Sequence, residues 1–394
     1  MSPRRHSPPV WTLSDLEKVA EGSVDDEVWG YIQGGSGSER TRRANEAAFD
    51  SWVLLPHVLQ GLTSVDLHTT LLGQHVSAPF FVAPMAYQRE VHPGGERAVA
   101  AAAAKVGVLG VYSTLSSHSL EEIARRDPQA PRWFQLYLQP GLDASQTLVR
   151  RAARAGYSAI VVTVDTPVLG SRDRQLRSGF GLQRTPPLGN GPDVRSPPRG
   201  PLWNGSSYRL AVGGAVSWDA LDAVRQATDL PLVVKGVLLP ETAREAVDRG
   251  AQAVIVSNHG GRQLDLAPAA LDALPGVVEE VGDEVEVYMD GGVRRGTDIL
   301  VALALGARAV GLGRPVLWAL AAGGEPGVDR YLRLLGTELA NSLLLLGRSS
   351  VQEVGRSLVR PSPGRSPVLP LRARRGRPGV SDAAGPGPRR SLRS

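Results

Sequence analysis

Short runs of apolar, β-favouring residues alternate with Ala-rich stretches of helical spacing from Pro79 onward. Each run is almost continuously apolar over four to six residues, which is typical of parallel strands buried on both faces. The segments between the runs have helical periodicity, as in residues 95–106, 144–155 and 240–249. Eight runs have this character: 80–83, 108–113, 133–138, 159–164, 232–235, 253–257, 285–289 and 309–312.

The eight strand–helix units extend over roughly 250 residues, and this pattern predicts a closed (β/α)8 TIM barrel. An open doubly wound sheet is the alternative, but it favours a Gly-x-Gly-x-x-Gly turn after the first strand, and this turn is missing. Residues 11–50 have helical character, interrupted by a Gly-rich turn at 33–37, and Ser14 is the predicted N-cap of the first helix. The predicted fold is therefore an α/β barrel preceded by an N-terminal helical segment.

Proline, glycine and serine mark the segments that we expect to lie outside the compact barrel. The loop after the fourth strand is long and rich in these residues, and we predict a lid over residues 177–215. We expect a disordered N-terminus at 1–10, a barrel domain at 11–360 and a disordered basic Pro/Arg-rich tail at 361–394.

The net charge of +5 resides in the two ends of the chain rather than in the predicted barrel. Residues 361–394 contain eight Arg against one Asp, and residues 1–10 contain two Arg and no acid, which leaves the body with a net charge of −4. A mildly acidic body argues against nucleic-acid binding. No window approaches about 18 consecutive apolar residues, and no signal peptide is present, so we expect a cytoplasmic protein without membrane contact. The absence of Cys excludes thiolate catalysis and Cys-ligated metals, and we expect no metal site.

The turn at the end of the sixth predicted strand carries the most informative chemistry. His259 and Arg262 are separated by two Gly, at the edge where the strand ends of a barrel line its active site. Neutral imidazole accepts a proton near pH 7, and guanidinium binds a carboxylate through two parallel hydrogen bonds. The pattern indicates a base beside a carboxylate anchor; a structural His in a capped turn is the alternative.

Three other strand ends supply charges. Lys235 ends the fifth strand of a chain with three Lys and 41 Arg, and we interpret it as a compact buried charge for an anionic cofactor. Gly-rich turns with Arg follow strands seven and eight, at 290–296 and 311–315, where barrels often bind phosphate. Asp165 ends strand four, from which a carboxylate could orient His259 and stabilise the imidazolium; a helix N-cap is the alternative.

Residues 257–265, residues 290–298 and Gly313-Arg314-Pro315 are similar to motifs of the FMN-dependent L-2-hydroxy-acid oxidases and dehydrogenases. This family includes glycolate oxidase, lactate oxidase, mandelate dehydrogenase and hydroxymandelate oxidase. The similarity extends from about Leu13 to about Val359. It implies FMN as the cofactor and the oxidation of an L-2-hydroxy acid to a 2-oxo acid.

The resemblance also implies a role for each site residue. His259 would be the base, Asp165 its partner, and Tyr137 a hydrogen-bond donor to the substrate hydroxyl. The substrate-binding residues would be Tyr31, Leu115, Tyr137, Arg172 and Arg262. The cofactor-binding residues would be Pro84, Met85, Ala86, Ser113, Gln135, Thr163, Lys235, Ser257, Asp290, Gly292, Arg294, Gly313 and Arg314.

One departure from the family bears on the substrate. Leu115 stands where glycolate-oxidase-like members have a Trp, which would widen the substrate pocket, so we expect mandelate-like or medium-chain acids, with lactate or glycolate as the alternative. The predicted lid lacks the sustained apolar or amphipathic run that binds mandelate dehydrogenases to membranes. This favours oxygen as the acceptor, giving hydrogen peroxide, over an acceptor-linked dehydrogenase. The resemblance further implies a homotetramer.

Three other functions compete with this one. A barrel that uses FMN for isomerisation needs a diphosphate-binding face, whereas this chain offers Arg262 beside a His base. A barrel that binds FMN only as a sensor or scaffold has no chemical need for the complete catalytic set. An NAD dehydrogenase would carry a nucleotide-binding fingerprint that is missing here. Within the favoured function, hydride transfer and a carbanion route both stay open.

Overall fold

The computed structural model describes residues 12–139, 141–179, 188–191 and 216–364. Its strands are β1 (Trp52–Leu54), β2 (Thr69–Leu71), β3 (Gln74–Val76), β4 (Phe80–Val82), β5 (Gly110–Ser113), β6 (Arg132–Leu136), β7 (Ile160–Thr163), β8 (Leu232–Val237), β9 (Ala253–Val256), β10 (Glu286–Asp290), β11 (Ala309–Leu312) and β12 (Val359–Pro361). Its helices are α1 (Leu13–Glu21), α2 (Asp26–Gln33), α3 (Arg40–Ala47), α4 (Gln88–Val91), α5 (Gly95–Val106), α6 (Leu120–Ala124), α7 (Leu142–Arg154), α8 (Asp173–Ser178), α9 (Trp218–Arg225), α10 (Pro240–Asp248), α11 (Ala270–Val281), α12 (Gly296–Ala304) and α13 (Arg314–Leu346). Single 3-10 turns cover Ala48–Ser51, Val351–Glu353 and Arg356–Leu358.

Eight parallel strands close into one barrel in the order β10-β11-β4-β5-β6-β7-β8-β9. The predicted (β/α)8 barrel is therefore confirmed, and all eight predicted strands are present with ends that differ by no more than two residues. The barrel strands are buried on both faces, as their nearly continuous apolar character predicts.

A period of two along each strand decides which side chains fill the barrel. Phe81, Trp133 and Tyr288 contact one another inside it, with ring centroids 5.5–6.4 Å apart. Leu71 and Val76, from the β2–β3 hairpin, belong to the same buried cluster and so close the end of the barrel where the strands begin. Residues two positions further along the strands lie at the opposite end, where the strands finish. The sequence places polar side chains at these positions, and they form the site described below.

The N-terminal segment is helical, as predicted, but its first cap is not. The prediction of Ser14 as N-cap is wrong, because α1 is capped by Thr12. Thr12 Oγ1 accepts the Asp15 N–H at 3.2 Å, and Asp15 Oδ2 accepts the Thr12 N–H at 2.9 Å. These two hydrogen bonds form a reciprocal capping box that begins two residues before the predicted N-cap.

The remaining segments frame the barrel. β1 pairs antiparallel with β12, which joins the end of the N-terminal segment to the C-terminal end of the described chain. α13 is kinked at Gly323 and Gly324. No helix among those in the described ranges is long and apolar enough to cross a membrane. The predicted N-terminus at 1–10, most of the predicted lid at 177–215 and the tail beyond residue 364 lie outside the described residues.

Candidate active site

The turn that follows β9, which we call the catalytic turn (residues 258–263), carries His259 in a left-handed backbone conformation. His259 has φ of 60°, and Gly260 and Gly261 have φ of 63° and 73°. Three successive residues in this region reverse the chain tightly, and glycine tolerates this conformation without steric cost. Asn258 Oδ1 accepts the Gly261 N–H at 3.0 Å and so closes the turn. The turn therefore presents the His259 side chain at the mouth of the barrel.

His259 lies between an acid and a phenol. Its Nδ1 is 2.9 Å from Asp165 Oδ1, and its Nε2 is 3.3 Å from the Tyr137 hydroxyl. Because Asp165 faces Nδ1, the proton of a neutral ring belongs on that nitrogen, which leaves the lone pair on Nε2. Gly236 makes this approach possible: a Cβ at this position would lie 2.6 Å from Asp165 Cβ. The structure thus brings together all three predicted catalytic residues.

Burial controls the ionisation of this group. Burial lowers the pKa of His259 below its ordinary value, and it outweighs the opposing effect of Asp165. Burial alone would raise the pKa of Asp165, but the facing His259 and the nearby Lys235 hold it low. Burial also raises the pKa of Tyr137, so that its hydroxyl keeps its proton. At neutral pH the site therefore holds a neutral imidazole between a carboxylate and a hydrogen-bond donor.

Arg262 and Tyr31 form the cationic side of the site. The Arg262 guanidinium lies 4.9 Å from the centre of the Tyr31 ring and donates from one nitrogen to the carbonyls of Tyr31 and Gly34, at 2.8 and 2.7 Å. Burial, reinforced by the charge of Arg172, lowers the pKa of Arg262 to about 9, so it stays protonated at neutral pH. The Tyr31 hydroxyl donates to the Ala86 carbonyl at 3.0 Å. Two partly buried guanidiniums beside one another are an environment suited to a carboxylate anion.

Arg172 is held beside this pair by the catalytic turn. It donates to the Arg262 carbonyl at 3.3 Å and to Gln263 Oε1 at 3.4 Å. Gln263 Nε2 in turn donates to the Asp165 carbonyl at 2.9 Å. Gln263 therefore links the predicted carboxylate anchor to the strand end that carries Asp165.

Ser257 connects three strand ends through one hydroxyl. Its Oγ accepts from Lys235 Nζ at 2.8 Å and from the His259 N–H at 3.0 Å, and donates to Asp290 Oδ1 at 2.5 Å. Lys235 also pairs with Asp290 Oδ2 at 3.0 Å and is only 3% exposed. The hydroxyl uses its full hydrogen-bonding capacity, with one donor and two acceptor positions. The ammonium is thereby fixed below the catalytic turn.

A second polar network crosses the neighbouring strand ends, those of β5, β6 and β7. Ser113 donates to Gln135 Oε1 at 2.9 Å, and Gln135 Nε2 donates to Thr163 Oγ1 at 3.0 Å. All three are at most 3% exposed and follow the inward positions of β5, β6 and β7. Pro84, Met85 and Ala86 follow β4 in the neighbouring loop. The structure therefore places these six predicted cofactor residues on adjacent strand ends.

The turns after β10 and β11 assemble a group of arginines. The side chain of Arg314 is partly buried, and desolvation together with the charges of Arg262, Arg294 and Arg42 lowers its pKa far below the ordinary value. It donates to the carbonyls of Ile32, Gly34 and Gly260, at 2.8–3.1 Å. Arg294 instead pairs with Glu46 at 2.8 Å and lies over the Trp318 ring. The two predicted phosphate-binding guanidiniums thus have different partners.

This donor set fits a phosphate-bearing flavin. The arginines leave a surplus of positive charge at the start of α13, where the positive end of the helix dipole also attracts an anion. A Cβ at Gly313 would meet no atom within 4 Å, so the backbone there is open to close approach. Gly292, by contrast, packs on the chain itself, because its Cβ would lie 2.0 Å from the Asn45 carbonyl oxygen. Lys235 and the Ser113–Gln135–Thr163 network would supply polar groups for the flavin ring.

No group of three or more His, Asp or Glu side chains in the described ranges is arranged to hold a metal ion.

Sequence reasoning missed the residues that the N-terminal segment contributes. Asn45 and Asn258 exchange two amide hydrogen bonds of 2.8 and 2.7 Å, and Asn45 Oδ1 also accepts the Ala270 N–H. Glu39, at the start of α3, accepts two hydrogen bonds of 2.9 Å from Arg174. Against the opposing effect of burial, these hydrogen bonds help to lower the pKa of Glu39 to about 2. The only sequence signal was the presence of Asn258 beside His259, and nothing local pointed to its partner.

A (β/α)8 barrel with a partly buried His–Asp pair, a carboxylate-type Arg cluster and a buried Lys at its strand ends defines a class of flavin-dependent enzymes that oxidise CH–OH donors. Comparison with known proteins agrees with this class. A family model described as FMN-dependent dehydrogenase matches residues 20–361. The chain therefore belongs to the FMN-dependent dehydrogenase family, as an FMN-dependent 2-hydroxyacid oxidase.

Individual relatives match almost their whole length. The 4-hydroxymandelate oxidase of Amycolatopsis orientalis is 43% identical over 343 residues, covering 86% of this chain and 95% of the relative. The L-lactate oxidase of Nostoc sp. is 42% identical over 354 residues, covering 88% and 97%. The crystal structure of mandelate oxidase with (S)-4-hydroxymandelic acid superposes with a TM-score of 0.82 at 42% identity, covering 89% of this chain and 98% of that one.

The catalytic turn should not tolerate a side chain at Gly261. A Cβ there would lie 2.5 Å from the Arg42 backbone nitrogen, and φ is 73°. We expect Gly261→Ala to lower the free energy of unfolding by more than the about 1–2 kcal/mol that a left-handed conformation alone costs. Urea denaturation measures this, with Gly336→Ala as control, because a Cβ at Gly336 meets nothing within 4 Å. Equal stability of the two variants would contradict the described turn.

Proposed function

We propose that this enzyme oxidises L-2-hydroxy acids with mandelate-like or medium-chain side groups to 2-oxo acids and passes the electrons to oxygen, giving hydrogen peroxide. The observation that carries the proposal is the position of His259, whose Nδ1 faces Asp165 while Nε2 faces Tyr137. A base with this orientation, next to the Arg262–Arg172 pair, can accept a proton from a substrate whose carboxylate the guanidiniums hold.

The residues of the chain divide the work as follows. Arg262, Arg172 and Tyr31 bind the substrate carboxylate, and Tyr137 donates to its hydroxyl. His259 Nε2 takes one proton from the substrate, whose two electrons and second proton leave to the bound acceptor. The imidazolium that results is stabilised by Asp165, which is already ionised in this environment. Bound FMN supplies the two-electron acceptor for this oxidation.

Residues at the other strand ends would hold that cofactor. Lys235 would place a positive charge beside the electron-accepting ring, and the start of α13 with the arginines around it would bind the phosphate. The other residues proposed to contact the cofactor lie at the ends of β4 to β7 and of β9 to β11, or in the turns that follow them: Pro84, Met85, Ala86, Ser113, Gln135, Thr163, Ser257, Asp290, Gly292, Arg294, Gly313 and Arg314.

The preference for a bulky substrate rests on Leu115. The two curated relatives are named for lactate and for 4-hydroxymandelate at nearly equal identity, so identity does not choose between small and large acids. Leu115 lies in the turn that begins where β5 ends, and Leu occupies less space than an aromatic side chain. Lactate and glycolate remain the second candidates.

The proposal also includes a cytoplasmic homotetramer. Leu264 and Leu266 are apolar side chains with 74% and 71% exposure, and contact with a second copy of the chain would cover them.

The role of the base can be tested by its removal. We expect His259→Ala to bind FMN but to lose at least about 10²-fold in the rate at which (S)-mandelate bleaches the flavin absorbance, because His259 is the neutral base proposed to accept the substrate proton. Anaerobic stopped-flow mixing measures this rate. His75→Ala, an exposed His on β3 at the other end of the barrel, is the matched control. Wild-type bleaching in His259→Ala would remove His259 from the mechanism.

The pH dependence follows from the lowered pKa of His259. The base is active when neutral, so kcat/KM should fall as the pH drops through a midpoint below about 6.5, the ordinary value for His. Asp165 raises the pKa of His259, so Asp165→Asn should shift the acidic limb to lower pH while kcat falls by about 10²–10⁴-fold. Profiles of kcat/KM measured between about pH 4.5 and 9 in both proteins give the midpoint of this acidic limb. A shift of the limb to higher pH in Asp165→Asn would contradict the pairing.

A further inference from the structure

The turn that follows β5 makes contacts that the catalytic scheme does not use. We define the β5 turn as residues 114–118. The Leu115 carbonyl accepts the Tyr87 N–H at 3.2 Å, and Thr114 Oγ1 accepts the Tyr137 N–H at 3.0 Å. Tyr137 faces His259, and the Tyr87 ring packs edge-on against Tyr31 at 6.3 Å. The β5 turn therefore holds the backbone of two residues whose rings border the substrate position, in addition to carrying Leu115.

Glu96 holds this turn from the side of α5. It is completely buried, and its Oε1 accepts the N–H groups of Gln88 at 3.1 Å and of Ser117 at 2.9 Å, while Oε2 lies 3.0 Å from His118 Nδ1. Gln88 directly follows Tyr87. One carboxylate thus ties the loop after β4 to the β5 turn. A buried carboxylate is unfavourable unless it is hydrogen-bonded, so these three partners account for its place in the core.

Asn190 holds the same turn from the opposite side. It is 2% exposed, and its Nδ2 donates to the carbonyls of Thr114 at 2.8 Å and Ser113 at 3.3 Å. Its Oδ1 accepts the Leu120 N–H at 2.9 Å, so the amide bridges both ends of the turn. The neighbouring Gly189 N–H donates to the Ser116 carbonyl at 2.9 Å. Side chains and backbone groups from several segments together therefore satisfy the backbone of the β5 turn.

We propose that Glu96 and Asn190 are positioning residues that set the size selectivity of the substrate pocket by fixing the β5 turn. Neither residue touches the substrate in this scheme. They act through Leu115, which they place, and through Tyr87 and Tyr137, whose backbones the turn binds. The proposal rests on the proposed function, because it takes the β5 turn as a wall of the 2-hydroxy-acid site.

Two nearly isosteric substitutions test the proposal. Asn190→Asp replaces the Nδ2 donor by an oxygen that would face the Thr114 carbonyl, and Glu96→Gln replaces one of the two acceptor oxygens by an amide group. Matched controls make the same changes away from the turn: Asn341→Asp on an exposed part of α13, and Glu280→Gln in the ion pair with Arg244 on α10. The quantity measured is the ratio of kcat/KM for (S)-mandelate to that for (S)-lactate. FMN affinity, by fluorescence titration, and Tm are measured alongside.

We expect the ratio to change by about 10-fold or more in Asn190→Asp and Glu96→Gln, mainly through KM, because small displacements of a pocket wall are worth this much between substrates of different size. FMN affinity should equal that of the controls, which should keep the wild-type ratio. An unchanged ratio in an active protein would overturn the proposal. So would an equal loss for both acids with a lowered Tm, since this indicates a purely structural role.

Failure of the proposed function would look different. In that case the unsubstituted protein would oxidise neither acid. The size ratio can then be measured without turnover, from the change in flavin absorbance when benzoylformate or pyruvate binds. An unchanged binding ratio in Asn190→Asp and Glu96→Gln would again overturn the positioning role, whereas a changed ratio would support it independently of catalysis.

Discussion

The hydroxyl of Ser257 is the point on which the rest of the site depends. It binds the ammonium of Lys235, the carboxylate of Asp290 and the backbone N–H of His259. These groups come from the end of β8, the end of β10 and the catalytic turn after β9. Ser257 is fully buried, so the loss of one of these contacts would leave a buried polar group without its hydrogen bond. The left-handed backbone of His259 is unfavourable in isolation and persists because these contacts and the Asn258–Gly261 hydrogen bond determine the turn. The position of the imidazole is thus a consequence of barrel closure.

Burial of positive charge is the second constraint. Arg172, Arg262 and Arg314 each have a lowered pKa, and in each case burial is the first cause. Many of their hydrogen bonds go to backbone carbonyls at the end of α2 and in the catalytic turn. These carbonyls satisfy the guanidinium N–H groups but do not neutralise the positive charge. Such a site gains stability when anions enter it. In the proposed function a substrate carboxylate and a cofactor phosphate would supply that charge at two separate positions. The same arginines connect the N-terminal helices to the barrel.

Much of the fold could be predicted from the sequence because its signals are local. Apolar runs of four to six residues define the strands, and a period of two along them makes Ser113, Gln135, Thr163, Lys235 and Asp290 inward-facing residues at the strand ends. The pairing of Asn45 with Asn258 could not be predicted, because the partners are 213 residues apart and neither lies in a periodic pattern. Glu96 could not be predicted either, because it is a charged residue in the first turn of a helix and its burial depends on the backbone N–H groups of Gln88 and Ser117, 8 and 21 residues away. The cap at Thr12 was missed for a different reason: Ser14 and Thr12 both satisfy the local pattern, and side-chain geometry decides between them.

The central claim is that the side chains of His259, Arg262 and Lys235 serve one flavin and one hydroxy acid. The most direct test is an anaerobic titration of the FMN-loaded protein with the two enantiomers of mandelate, followed by visible absorbance and then by admission of air. The account predicts that one equivalent of (S)-mandelate bleaches the flavin, that (R)-mandelate does not, and that air restores the colour with one equivalent of hydrogen peroxide. A protein that binds no FMN, or whose flavin is bleached equally by both enantiomers, would contradict it.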